Sequence, residues 1–339
     1  MSHGSDRGHG VPRLAILDDY AGVALQVADW SRVQKRCDIT VFDEHLSEQQ
    51  AVDALRPFDV VCTMRERMAF PRSLIERLPH LRLLTIVGRQ LPNLDMAAAT
   101  EHGIAVARSE FAHPRFAALR DATPELAWGL MIATVRHLAD EHRQMRAGGW
   151  QRTAGMTLSG KTLGLLGLGR VGSRMAGFAA AFGMEVIAWS QNLTDDAAAA
   201  VGARRVSKAA LFESADVVSV HLVLSERTRG LVGEPELALM KPSAYLINTA
   251  RGPIVDEPAL IAALTAGRIA GAGLDVYDVE PLPGDHPLRS LPNVTLSPHL
   301  GYVTREMLGA FYADTVESVL AWLDGTPIRI ANPQVLQRD

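Results

Sequence analysis

The chain has 339 residues, 47% of them hydrophobic and 21% charged, a composition that argues against extensive disorder and, at this length, for two domains with separate cores. A formal net charge of -4, with no block of like charges, argues against a nucleic acid or an anionic membrane as partner. Two cysteines, Cys37 and Cys62, are too few for a disulfide framework and no apolar run is long enough to span a bilayer, so the expected location is the cytoplasm.

Residues 1–10, MSHGSDRGHG, are polar and Gly-rich, lack the apolar core of a signal peptide and read as a flexible leader. Short apolar runs then alternate with amphipathic segments: RLAIL (13–17), ITVF (39–42), DVVCT (59–63), LRLLTIV (81–87) and IAVA (104–107). Continuous short runs of this kind are strands of a parallel sheet buried on both faces. Cys62, inside VVCTM, reads as a buried structural thiol. A long helix is expected over 123–147, capped by Thr123, with Pro124 in its first turn and Gly148–Gly149 at its end. Leu126, Leu130, Met131, Ile132, Val135 and Leu138 spread over much of its circumference, which calls for burial by another domain or by a second subunit and favours a dimer. A second βα series follows: KTLGLLGL, MEVIAWS, DVVSVHLVL, SAYLINTA, GAGLDV and NVTLSP as strands, with EPELALM and EPALIAALTAG among the helices. The fold class is α/β, two doubly wound parallel-sheet domains. A last helical stretch, 304–323, can pack on either sheet.

Gly167-x-Gly169-x-x-Gly172 leaves one of these strands and opens a helix. In that setting the first glycine makes a tight turn, the second lets a pyrophosphate approach the backbone, and the third lets helix pack on strand. The helix N-terminus adds free N–H groups and a positive dipole end. About twenty residues later VIAWSQN carries Ser190, Gln191 and Asn192, where such a fold often has an acid for the adenosine ribose. Without that carboxylate, neither the ribose hydroxyl is specifically held nor a 2′-phosphate repelled. NAD is the expected cofactor, with NADP possible.

The other informative residues end strands of the second series, where open α/β sheets bind ligands: His221, the run Asn248-Thr249-Ala250-Arg251-Gly252, Asp275, Glu280 and Ser297-Pro298-His299. Hydride transfer to a carbonyl needs a nicotinamide, a proton donor and a cation that polarises the substrate. His299 is the histidine at such an end expected to have a carboxylate, Glu280, beside it to favour the imidazolium form. Arg251 offers a planar fork suited to a carboxylate and its adjacent carbonyl oxygen, which points to 2-oxo acids. No metal is called for.

GLGRVG, NTARGPIVDEPAL, GAGLDVYDVEP and SPHLG, in this order and spacing, resemble the D-isomer-specific 2-hydroxyacid dehydrogenases. The resemblance is dense from about 120 to 303 and looser over RLLTIVG and LDMAAATEHGIAV in the first third. It implies a Rossmann NAD(P)-binding domain at 120–303 and a discontinuous, flavodoxin-like substrate domain at 11–119 plus 304–339. It also implies a homodimer contacting through the long helix. Carried over by motif, Arg251 binds substrate, Glu280 supports the imidazole and His299 is the acid/base. Gly167, Gly169, Arg170, Val171, Gly172, Ser190, Gln191, His221, Ala250 and Asp275 line the cofactor, Asp275 near the nicotinamide. Gly88 begins the substrate-carboxylate loop, with Arg89 and Arg65 as added positive charge. That loop departs from the family's GxGxDNID: Gln90 replaces a glycine and Pro92 an acid, so the pocket differs from that of better-known members. A small 2-oxo or 2-hydroxy acid is the expected substrate. A phosphoglycerate dehydrogenase is the nearest enzyme rival, though many carry an extra C-terminal domain that this chain, ending at Asp339, lacks. Glu280 instead of Gln counts against a formate dehydrogenase. A nucleotide-sensing protein without useful turnover is the rival of a different class.

Overall fold

The computed structural model describes residues 10–87, 93–109, 116 and 119–337. Residues 1–9 of the expected leader, and Gly88 and Arg89 of the expected substrate loop, lie outside the described residues. These residues divide into two compact units, one drawn from 1–119 together with 304–339, the other from 120–303.

In the first unit β1 (Arg13–Ile16), β2 (Asp38–Val41), β3 (Val60–Thr63), β4 (Leu83–Ile86) and β5 (Ala105–Arg108) form a parallel sheet in the order β2-β1-β3-β4-β5. Every residue of β3 and β4 is buried, because helices cover both faces. Helix Glu48–Leu55 starts in a capping box, in which Ser47 and Gln50 satisfy each other's backbone N–H groups, and it buries Ala51, Val52 and Leu55. Helix Arg305–Leu323, capped by Thr304, packs on this sheet against β4 and buries Phe311, Tyr312 and Val319. Burial pushes the Cys37 and Cys62 thiols up to about 11 and about 12, so neither supplies a thiolate near neutral pH.

The second unit holds β6 (Thr162–Leu166), β7 (Glu185–Trp189), β8 (Arg204–Arg205), β9 (Val217–Val220), β10 (Tyr245–Asn248), β11 (Gly271–Leu274) and β12 (Val294–Leu296), all parallel, in the order β12-β11-β10-β9-β6-β7-β8. The chain turns back on itself at β6, so the crevice where strand order reverses lies between the carboxyl ends of β6 and β9.

The single helix expected over 123–147 is two. Ala122–Val135 and Leu138–Arg146 are separated at Arg136–His137, with His137 in the left-handed region at φ 54. Thr123 is not the cap. It lies inside the first turn, and its hydroxyl donates instead to the Gly301 carbonyl at 2.8 Å. Helical periodicity could not reveal the break, because apolar and polar halves abut without glycine or proline between them. The apolar half is buried within its own unit, packing Leu130, Met131 and Val135 with Leu163, Tyr245 and Ile247. It seats on β11 at Gly273, where a Cβ would come within 2.5 Å of Thr134 Oγ1 and 3.1 Å of Leu130 Cγ. Much of its apolar surface is therefore covered within its own unit, while Leu126 and Ile132 stay half-buried. The polar half buries nothing and leaves Leu138 and Met145 exposed.

Candidate active site

At the β6 end the glycines behave as their positions require. Gly167 takes φ +97, and a side chain there would meet the His221 carbonyl oxygen at 2.7 Å. Gly172 lies against Gly167, its missing Cβ 2.1 Å from that residue's carbonyl oxygen. Gly169, by contrast, faces open space, with no atom within 4 Å of where its Cβ would be. It precedes helix Arg170–Ala181, whose first turn carries no side-chain cap, so its N–H groups are left to a ligand. An open approach, bare donors and a positive helix end fit the pyrophosphate of a dinucleotide. Val171 is half-buried on that helix. Arg170 donates to the Arg120 carbonyl oxygen, and burial, with Arg120 nearby, lowers its guanidinium below the ordinary value. Arg174, one turn on, grips Asp121 through two bonds of 2.9 and 2.6 Å and ties this helix to Ala122–Val135.

Ser190 is half-buried and Gln191 exposed at the β7 end, with no carboxylate among residues 190–192. Beyond them, Asp195 and, from the edge strand β8, Arg205 lie 3.5 Å apart. At the β9 end His221 Nε2 is 2.9 Å from Ser219 Oγ, and burial pushes the imidazole down to about 3. This ring is neutral at physiological pH and presents no charge to a dinucleotide. It also makes a testable contribution to acid lability. Between pH 6.5 and about 3 the unfolded chain takes up a proton that folded His221 refuses, so stability falls as pH falls through that window. For the ligand-free protein, His221→Gln should remove about 3 kcal/mol of the difference in unfolding free energy between pH 7 and pH 4, read from denaturant melts at both values. An unchanged difference would show that His221 titrates normally.

The β10 end is shaped by Asn248, which is 1% exposed. Its Oδ1 accepts from Ala250 N and its Nδ2 donates to Arg251 O, both at 3.0 Å, which holds the Ala250–Arg251 turn from inside. Arg251 Nη1 returns to the Ala250 carbonyl at 2.7 Å. Gly252 follows directly against the next segment, its missing Cβ 2.1 Å from both the carbonyl carbon and oxygen of Tyr277.

Asp275, at the β11 end, is fully buried. Its carboxylate accepts from Ser297 Oγ (2.5 Å), Leu300 N (2.8 Å) and Gly301 N (3.0 Å), so it wraps the segment that carries His299. Burial raises this carboxyl above the usual range, against the opposing effect of the three donors. Tyr277 spans the same gap, its hydroxyl donating toward Leu274 O and Ser297 O at 3.1 and 2.9 Å. Between these ties His299 sits in the left-handed region at φ 54, a conformation that non-glycine residues hold only when their surroundings impose it. Its Nδ1 donates to Glu280 Oε2 at 2.5 Å, and Glu280 Oε1 accepts from Tyr277 N at 2.9 Å. The Tyr302 ring stands edge-on to the imidazole, centroids 5.5 Å apart.

The residues read from sequence as catalytic thus lie on one rim, at the ends of the neighbouring strands β10, β11 and β12, with Glu280 and His299 in direct contact. Arg65 follows β3 in the other unit, left-handed at φ 53 and 3.5 Å from Glu66. Sequence reasoning missed Tyr277, Tyr302, Ser297 as a donor to Asp275, and the pair Glu257–His286. Ser297, Tyr277 and Glu257 lie inside the motifs SPHLG, GAGLDVYDVEP and NTARGPIVDEPAL, whereas Tyr302 and His286 carried no signal.

A dinucleotide crevice, with a cation and a carboxylate–imidazole pair on the same strand rim, defines a nicotinamide-dependent oxidoreductase of hydroxy and oxo acids. Residues 128–301 match the family model described as D-isomer specific 2-hydroxyacid dehydrogenase, NAD binding domain. A glyoxylate reductase of Aeropyrum pernix is 34% identical over 96% of this chain and 97% of its own length. A D-3-phosphoglycerate dehydrogenase of Synechocystis is 35% identical over 84% of this chain but only 50% of its own length. The solved structure of a phosphoglycerate oxidoreductase from Vibrio cholerae is similar with a TM-score of 0.85 at 34% identity, covering 93% of this chain and 99% of that one. The chain belongs to the D-isomer-specific 2-hydroxyacid dehydrogenase family.

Proposed function

We propose that this enzyme works as a reductase of small 2-oxo acids, glyoxylate or hydroxypyruvate first among them, and accepts NADH or NADPH. The observation that carries the residue assignment is the 2.5 Å bond between His299 Nδ1 and Glu280, one strand away from the Arg251 turn. The glyoxylate reductase of Aeropyrum pernix supports the substrate class.

The bound nicotinamide supplies the hydride. Gly167, Gly169, Arg170, Val171 and Gly172 hold the pyrophosphate side, Ser190 and Gln191 the ribose, and His221 and Ala250 line the crevice. Arg251 pairs with the substrate carboxylate and draws charge onto the adjacent carbonyl oxygen. His299, with Nδ1–H committed to Glu280, gives the proton on Nε2 to that oxygen as the alkoxide develops. Asp275 acts from behind, through the backbone of the His299 segment. Residues 120–303 form the cofactor domain. Residues 11–119 with 304–339 form the substrate domain, to which Arg65, Gly88 and Arg89 contribute positive charge and backbone donors. A homodimer is supported by Leu138, Met145 and Trp150, exposed at 50%, 53% and 74%.

The test is turnover followed by nicotinamide absorbance, with NADH and NADPH separately, against glyoxylate, hydroxypyruvate, pyruvate and bulkier 2-oxo acids, and with 3-phosphoglycerate in the oxidative direction. Turnover limited to 3-phosphoglycerate would move the assignment to the phosphoglycerate branch. Tight cofactor binding with no turnover on any acid would favour a nucleotide sensor. The absence of an acid after β7 gives a sharper expectation. Ser190→Asp should raise the NADH/NADPH ratio of kcat/KM about tenfold or more, by adding a ribose acceptor and repelling a 2′-phosphate. An unmoved ratio would place the ribose elsewhere.

A further inference from the structure

We propose that Glu257 and His286, which lie outside the set that meets substrate or cofactor, are a positioning pair for the proton-relay dyad. This rests on the assignment of Glu280 and His299 above. Glu257 opens helix Glu257–Thr265, which follows the Arg251 turn by five residues. Its carboxylate reaches across to both ends of the segment that carries Glu280. Oε1 lies 3.0 Å from His286 Nε2 and Oε2 accepts from Asp278 N at 3.4 Å. His286 Nδ1 in turn accepts from Leu288 N at 3.3 Å, which leaves the proton on Nε2 and makes the imidazole the donor to Glu257. The side chains of the pair are 15% and 18% exposed, so water competes weakly for these bonds. Arg289 grips the middle of the same segment, donating to the Leu282 and Pro283 carbonyls at 2.6 and 2.7 Å.

The segment 278–286 is thus a loop with its two ends drawn to one carboxylate. Glu280, near its start, is the group that holds His299 Nδ1. Fixing the loop fixes the direction of the Glu280 carboxylate, and so the direction in which His299 Nε2 points. Because Glu257 stands on the element that also follows Arg251, the same side chain sets the dyad in register with the substrate-binding cation. Displacements of under an ångström at a reacting group cost rate steeply, so a residue that never meets substrate can still govern turnover.

The experiment is a double-mutant cycle on the full-length enzyme, with the imidazole proton of His299 as a readout that needs no turnover. Glu257→Ala should lower kcat by about ten- to a hundredfold while the KM for the 2-oxo acid and the dissociation constant for NADH stay within about twofold. Glu257→Gln, which keeps an acceptor for His286, should recover most of that loss. In a Glu280→Ala background Glu257→Ala should add little, because the path through Glu280 is already cut. By NMR, the downfield Nδ1–H resonance of His299 should be present in the wild type and broadened or lost in Glu257→Ala. Equal losses of kcat with and without Glu280, or an unchanged resonance, would overturn the proposal. A wild type that shows the resonance but turns over no acid would sink the functional assignment and leave the resonance to decide the positioning.

Discussion

His299→Asn is expected to lower turnover by about 10²- to 10⁴-fold while leaving the affinity for NADH or NADPH within about twofold. Asparagine is smaller, but its amide nitrogen can stand near the Nδ1 position and keep a donor toward Glu280, so the bond of 2.5 Å that organises the rim has a substitute. What it lacks is a group that can release a proton to an alkoxide near neutral pH. The surrounding ties do not depend on the imidazole: Asp275 holds Leu300 N and Gly301 N, and Tyr277 holds Ser297 O. Asparagine also tolerates the left-handed backbone found at this position better than most residues. Steady-state kinetics with a fluorescence titration of the cofactor separates the two effects. Activity that survives the change would remove His299 from its role. A collapse of cofactor affinity would mean that the imidazole serves the crevice and not the proton.

Gly252→Ala should be nearly as damaging, for a purely steric reason. The added methyl would stand 2.1 Å from the Tyr277 carbonyl group and 2.6 Å from Asp278 N, all backbone atoms that cannot swing aside as a side chain would. One of two segments has to move, the one that carries Arg251 or the one that carries Glu280. Since the proposed mechanism needs the cation and the dyad in register, kcat/KM should fall about a hundredfold. Overpacking between two buried segments should also cost about 2–3 kcal/mol of stability, read from a denaturant melt. If kcat/KM stays near wild type, the two segments are not in the contact described and the rim is looser than its hydrogen bonds indicate.

Much of the fold was legible in the sequence because its signals are local. Continuous apolar runs such as VVCT and YLIN, short and alternating with helical segments, read as strands covered on both faces, and both are wholly buried. The break at His137 was invisible because nothing in VRHLAD interrupts helical periodicity. The first helix ends there against the loop that leads to β6, with Met156 N donating to the Val135 carbonyl at 2.8 Å.

The candidate site divides along the same line. Its chemistry-bearing residues stood out at strand ends, since hydride transfer to an oxo acid requires a proton donor, a cation and a phosphate-binding turn, and few residue types supply each. The side chains that aim them did not stand out. Glu257 and His286 are 29 positions apart, Asp275 and Leu300 25, and Thr123 and Gly301 178. The sequence by itself determined which groups are present, the glycines that let backbone meet backbone, and the two parallel sheets. Only the tertiary structure decided which carboxylate meets which imidazole, because hydrogen bonds of about 3 Å join residues whose separation along the chain carries no period to read.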